Sequence, residues 1–120
     1  NLGAAKGKTG NTREAMTHLE RAVDVRRNTG TLHAAGGAHL VANVGALKLA
    51  KKDYEGATKM FMEALVIRET AGELHTHEGA TLLKMLAEAE HAAGKNTVSA
   101  EHFERASQIW ENLKLVGTQA

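Results

Sequence analysis

The chain of 120 residues has no cysteine and no proline, and its aromatic side chains amount to one Trp, one Tyr and two Phe. Without cysteine there is no disulfide framework and no thiolate metal site, a composition that fits a reducing compartment. Without proline the commonest helix breaker is missing. With so few aromatics, a core must be assembled from Ala, Leu, Val, Ile and Met, which suit closely packed helices better than a sheet sandwich. No stretch approaches the roughly 18 consecutive apolar residues of a membrane span, and the start of the chain shows no signal pattern. A large charge of one sign is also missing, since 15 Lys and Arg face 14 Asp and Glu for a formal net charge of +1. Nucleic acid and anionic membranes are both bound through concentrated positive charge, so neither is an expected partner.

What is present is an apolar fraction of 42% and a charged fraction of 24%, ordinary for a soluble globular protein. The length fits one compact domain or a piece of a larger one. The first residue is Asn and the chain opens inside an expected helix, so a fragment is the expectation.

An internal repeat organises the chain. Segments starting at Gly10, Lys52 and Gly94 align without gaps at a spacing of 42 residues. Aligned columns are Ala15, Ala57 and Ser99; Leu19, Phe61 and Phe103; Ala22, Ala64 and Ala106; and Val25, Ile67 and Ile109. The segments from Thr31 and Glu73 align at the same spacing, pairing Leu32 with Leu74, His33 with His75, Gly37 with Gly79 and Leu40 with Leu82. Asn1-Leu2-Gly3 falls over Asn43-Val44-Gly45. Small residues stand over small ones and large apolar over large apolar, as a repeated packing geometry requires.

Apolar residues at three- and four-residue steps predict helices over about 12–28, 32–51, 54–71, 74–93 and 97–114. Asn11 with Glu14 reads as a capping box, and Gly30 and Gly72 as left-handed C-terminal caps. One helix pair cannot bury its apolar face alone, so units must stack. The expected division is a partial unit over 1–30, full units over 31–72 and 73–114, and a tail over 115–120.

On these residues the chain resembles the tetratricopeptide repeat family. Leu2-Gly3, Val44-Gly45 and Leu86-Ala87 match the family's Leu-Gly pair; Gly10 and Gly94 match its turn glycine, from which Lys52 departs. Tyr54 matches the aromatic that opens the second helix, and the Ala15 and Ala22 columns match its close-contact positions. The usual repeat has 34 residues; 42, with Asn1 and Asn43 before the Leu-Gly pair, is similar to the subgroup of kinesin light chains and spindle-orientation adaptors. The resemblance implies an all-α array of antiparallel helix pairs stacked into a right-handed superhelix, with first helices lining a concave groove. Ligands there are peptides or helices of partner proteins. The groove residues it implies are Asn1, His39, Asn43, Ala46, Thr81, Lys84, Met85 and Glu88, alongside Ala4, Ala42, Ala50 and His91. An Asn side chain can both donate to and accept from a peptide backbone. The alternative for Asn43 is that its amide satisfies a neighbouring helix. Thr81 and Met85 stand where chaperone-binding members hold a carboxylate, so that ligand is not expected.

Catalytic and cofactor chemistry is not expected. His75 and His77 are two residues apart and His33 and His39 six apart, neither being the spacing of a helical zinc site, and the alignment of His33 with His75 by the repeat predicts a shared structural role near a helix start. Gly7-Lys8-Thr9 ends like a phosphate loop, but Gly3 is one residue too close and no strand precedes it. No nucleophile sits in a triad context. Phe103 and Trp110 fall on the apolar stripe of the last helix, where packing is the expectation. The reading is therefore a cytoplasmic, cytoskeleton-associated scaffold or adaptor without enzymatic activity, cofactor or metal, which binds a protein or peptide in its groove. The alternative is a structural stretch of a longer array in a large assembly, self-associating through its ends. Gly36, Gly37 and Gly45 predict that the helix following Leu32 is the least stable.

Overall fold

The computed structural model describes the backbone of residues 2–34 and 36–119 and the side chains of 12–34 and 36–115. Five helices follow one another: α1 (Leu2–Thr29), α2 (Gly37–Ala50), α3 (Tyr54–Ala71), α4 (His77–Ala92) and α5 (Asn96–Gln119). Each packs on the next in sequence, and α2 also touches α4 directly. This is the contact pattern of a stacked array, with α2 and α4 on one layer and α1, α3 and α5 on the other. Among the described residues, the helices of the second layer do not pack on one another. Exposed ion pairs bridge them instead, from Arg27 to Glu63 and from Arg105 to Glu69.

The helix ends follow from local chemistry. Gly30 and Gly72 both take φ of 71°, and the residue after each returns its N–H to a carbonyl five positions back, at 2.8 Å in both cases. These are the expected left-handed caps. Lys52 adopts the same conformation at φ 66° although it carries a side chain, and Asp53 N–H closes onto Lys48 O at 2.8 Å. Asp53 then caps α3 by accepting from Gly56 N at 3.1 Å, and the Thr76 hydroxyl caps α4 by accepting from Gly79 N at 3.0 Å.

Three expectations are corrected. Asn11 does not cap a helix and Gly10 is not a turn, because α1 runs unbroken from Leu2. Second, α2 and α4 begin at Gly37 and His77, later than the apolar periodicity predicts, because Leu32 and Leu74 are buried from turns rather than from helices. A Cβ on Gly37 or Gly79 would collide with the carbonyl of Leu32 or Leu74, respectively, so the paired glycines admit the paired turns. Gly36 consequently lies outside α2, and the expected weakening of that helix interior falls on Gly45 alone. Third, α5 continues past residue 114, to Gln119.

The core runs through the stack. Val41, Val44, Phe61, Leu83 and Leu86 are the largest fully buried side chains, each contributing about 2 kcal/mol of burial. Ala57, Ala64, Ser99 and Ala106 are buried where helices approach closely. Phe61 fits because Gly45 faces it, since a Cβ on Gly45 would lie 2.9 Å from the Phe61 ring. Ala87 stands at the Gly45 position of the next unit, and there Phe103 is 39% exposed rather than packed as expected. Trp110 is half-buried against the core.

Candidate functional site

The direct contact of α2 with α4 leaves a cleft of about 280 Å³ along their outer edge. α2 supplies His39, Ala42 and Asn43, while α4 supplies His77, Glu78, Thr81, Leu82 and Met85. The 3.6-residue period places these side chains on one face of each helix. Arg68 reaches in from α3, half-buried, with its guanidinium donating to Glu73 O at 3.3 Å. It also borders, with His39, a second hollow of about 410 Å³ that includes His33.

The polar groups differ in how far they are already engaged. The Thr81 hydroxyl donates to His77 O at 2.9 Å within its own helix, leaving only acceptor capacity. Asn43 is exposed, and among the described residues its amide makes no hydrogen bond. Leu82 and Met85 give the cleft an apolar floor, Leu82 fully buried and Met85 partly. Such an arrangement can hold an apolar side chain against the floor while polar groups grip the chain that carries it.

Of the groove residues expected from sequence, His39, Asn43, Thr81 and Met85 line this cleft, with Ala42. Ala46 is half-buried one turn beyond Asn43, and Lys84 and Glu88 are exposed on α4 outside the cleft lining. Asn1 lies outside the described residues, as does the Ala4 side chain. Sequence reasoning missed Arg68, Leu82, His77 and Glu78. Arg68 comes from a second helix, and the alignment of Arg26 with Arg68 was the available signal, since both arginines donate to a carbonyl five residues on. His33 and His75 are exposed in the turns before α2 and α4, and among the described residues neither side chain makes a hydrogen bond.

One buried polar pair also escaped the sequence. Glu90 is 4% exposed, and its carboxylate lies 2.7 Å from Nδ1 of His102, which ties α4 to α5. Ser99 reinforces that junction by donating to Ala87 O at 2.7 Å. Among the described residues, no group of three or more His, Asp or Glu could hold a metal ion, and no helix is long and apolar enough to cross a membrane.

The sequence model of the tetratricopeptide repeat matches residues 1–29. The structure is similar to the crystal structure of BtubC (BKLC) from P. vanneervenii, with a TM-score of 0.79 over 90% of this chain and 43% of that one, at 20% identity. The fold is a tetratricopeptide solenoid. The family match covers the first quarter of the chain and the structural likeness shows the fold, and repeats of the tetratricopeptide type generally mediate protein–protein interaction. The solenoid spans less than half of the BtubC chain. No curated protein matches it in sequence.

Proposed function

We propose that this chain is a non-enzymatic protein-interaction scaffold or adaptor of the 42-residue-repeat subgroup, working in the cytoplasm and on cytoskeletal partners. Its units are the partial one over 1–30 and the full ones over 31–72 and 73–114, and its ligand is a peptide or helix of a partner protein held between α2 and α4. The observation that carries the reading is the unengaged Asn43 amide above the Leu82–Met85 floor. An amide that satisfied a neighbouring helix would be hydrogen-bonded, as the great majority of buried amides are. Here it is exposed and turned to the cleft, with Arg68 as a second polar anchor.

The test is a peptide-display selection on the chain, followed by fluorescence anisotropy of the selected peptides with point variants. Asn43→Lys and Met85→Lys should each weaken binding by about tenfold or more, as central contacts of a site do. Met62→Lys, on the exposed outer face of α3, should leave it unchanged. Peptides that bind all three variants equally well would remove the groove from the reading.

A further inference from the structure

Thr29, the last residue of α1, follows Arg26 and Arg27. No other serine or threonine of the chain has arginine at both the third and the second position before it. Its side chain is exposed, and so are Gly30, Thr31, His33 and Ala34 in the turn that follows. The last turn of a helix opens at low cost, so the hydroxyl and the two arginines can be presented together to an enzyme. Arginines at fixed places before a hydroxyl are the kind of charge pattern by which protein kinases select their acceptors.

The hydroxyl also sits inside a cluster that can receive a phosphate. Its own proton goes to Val25 O at 2.9 Å, so Thr31 Oγ1, at 2.8 Å, is the donor to it. Arg26, three residues earlier, lies on the same face of the helix. Its guanidinium donates to Thr31 O at 3.1 Å, and a Cβ on Gly36 would lie 3.6 Å from its Nη2. Arg26 therefore ties the end of α1 to both sides of the turn that leads into α2. A phosphate on Thr29 meets two donors here, the Arg26 guanidinium and the Thr31 hydroxyl. Thr70 is the contrast within the same chain. It is likewise exposed in the last turn of its helix and donates to a carbonyl four residues back at 2.8 Å, but Ile67 stands at its third preceding position and Glu69 directly before it.

We propose that Thr29 is a phosphorylation site, modified by a serine/threonine kinase whose substrate cleft carries carboxylates for Arg26 and Arg27, and that the modification loosens the turn between α1 and α2. In the transfer, Oγ1 bonds to the γ-phosphorus of ATP, the bond from that phosphorus to the bridging oxygen breaks, ADP leaves, and the hydroxyl proton passes to the kinase's base. The phosphothreonine has no proton left for Val25 O. Its charge, about −1.5 to −2, stands among the last carbonyls of α1, where the helix dipole disfavours it. Arg26 turns to the phosphate and leaves Thr31 O. The turn thereby released carries His33 and Gly36, which line the second hollow, and that hollow shares His39 and Arg68 with the cleft.

The test incubates the folded chain with Mg-ATP and the catalytic subunit of the cyclic-AMP-dependent kinase, which selects arginine at these two positions, and locates the modified residue by tandem mass spectrometry. One phosphoryl group is expected, on Thr29, with Thr70 unmodified. Thr29→Ser should be modified and Thr29→Ala should not, while Arg27→Ala should slow the transfer by about tenfold, the worth of one hydrogen bond to a charged group. The Gly30 and Thr31 amides close the end of α1 onto Arg27 O and Arg26 O, and their hydrogen exchange should quicken by about threefold after phosphorylation. No incorporation into the folded chain, incorporation at another residue in place of Thr29, a Thr29→Ala chain modified like the parent, or unchanged exchange at Gly30 and Thr31 would each overturn the proposal.

Discussion

α1 and α3 occupy the same place in the repeat and differ in what covers them. Ile67 on α3 has α2 on one side and α4 on the other, and it is buried; among the described residues α1 packs on α2 alone, and its Val25 is 55% exposed. The same holds for Phe61 against Phe103, which are 0% and 39% exposed. A helix of this array is therefore only as well packed as its neighbours make it, which is the nearest-neighbour logic of a solenoid.

The largest effect expected from this contrast lies in the two phenylalanines. Phe61→Ala should destabilise the chain by about 4 kcal/mol, because it empties a fully enclosed site beside Gly45, whereas Phe103→Ala should cost less than about 1 kcal/mol. Paired urea melts measure this directly, and equal shifts in midpoint would erase the distinction between interior and flank. Next, Ala64→Phe should cost about 3 kcal/mol through overpacking, since Ala64 is wholly buried where α3 meets its neighbours. Ala22→Phe, at the equivalent half-exposed position on α1, should be nearly silent in the same urea melts. The smallest effect is a gain. Lys52→Gly should stabilise the chain by about 1 kcal/mol by relieving a left-handed conformation that Gly30, Gly72 and Gly94 adopt without strain. No change in melting temperature would mean that the Lys52 side chain compensates for its backbone.

The bridging ion pairs sharpen the same comparison at the surface. The hydrogen bond to Glu63 holds the pKa of Arg27 above its ordinary value. At 44% and 25% exposure the pair's net contribution stays near the solvent-screened value of about 0.5 kcal/mol. It positions one unit against the next more than it stabilises either.

Legibility followed the range of the interaction. α3 was readable from Tyr54 to Ala71 because its caps and its stripe all lie within its own segment. The starts of α2 and α4 were not, because Leu32 and Leu74 continue the apolar period while sitting in turns held by a through-space contact to Gly37 and Gly79. The continuation of α1 through Gly10 was hidden because the repeat alignment set Gly10 over the turn at Lys52. Within the cleft, Asn43, His39, Thr81 and Met85 were named from their repeat positions, but Arg68 could be placed there only once α3 was seen beneath α2 and α4. The Glu90–His102 pair could not be read from the alignment, since the central unit has Lys48 and Met60 at those positions, although His18 stands at the His102 position two periods earlier.

By itself the sequence determined that the chain is helical, that its helices pair and recur every 42 residues, and which positions are small enough for close contact. Those are consequences of local propensity and of a period that any packing must respect. The tertiary structure decided which of the equivalent positions are buried, and that Asn43 has no hydrogen-bond partner among the described residues. Burial and hydrogen bonding depend on what lies across a gap in space, and a one-dimensional repeat assigns equivalent residues the same role until a neighbour is present or missing.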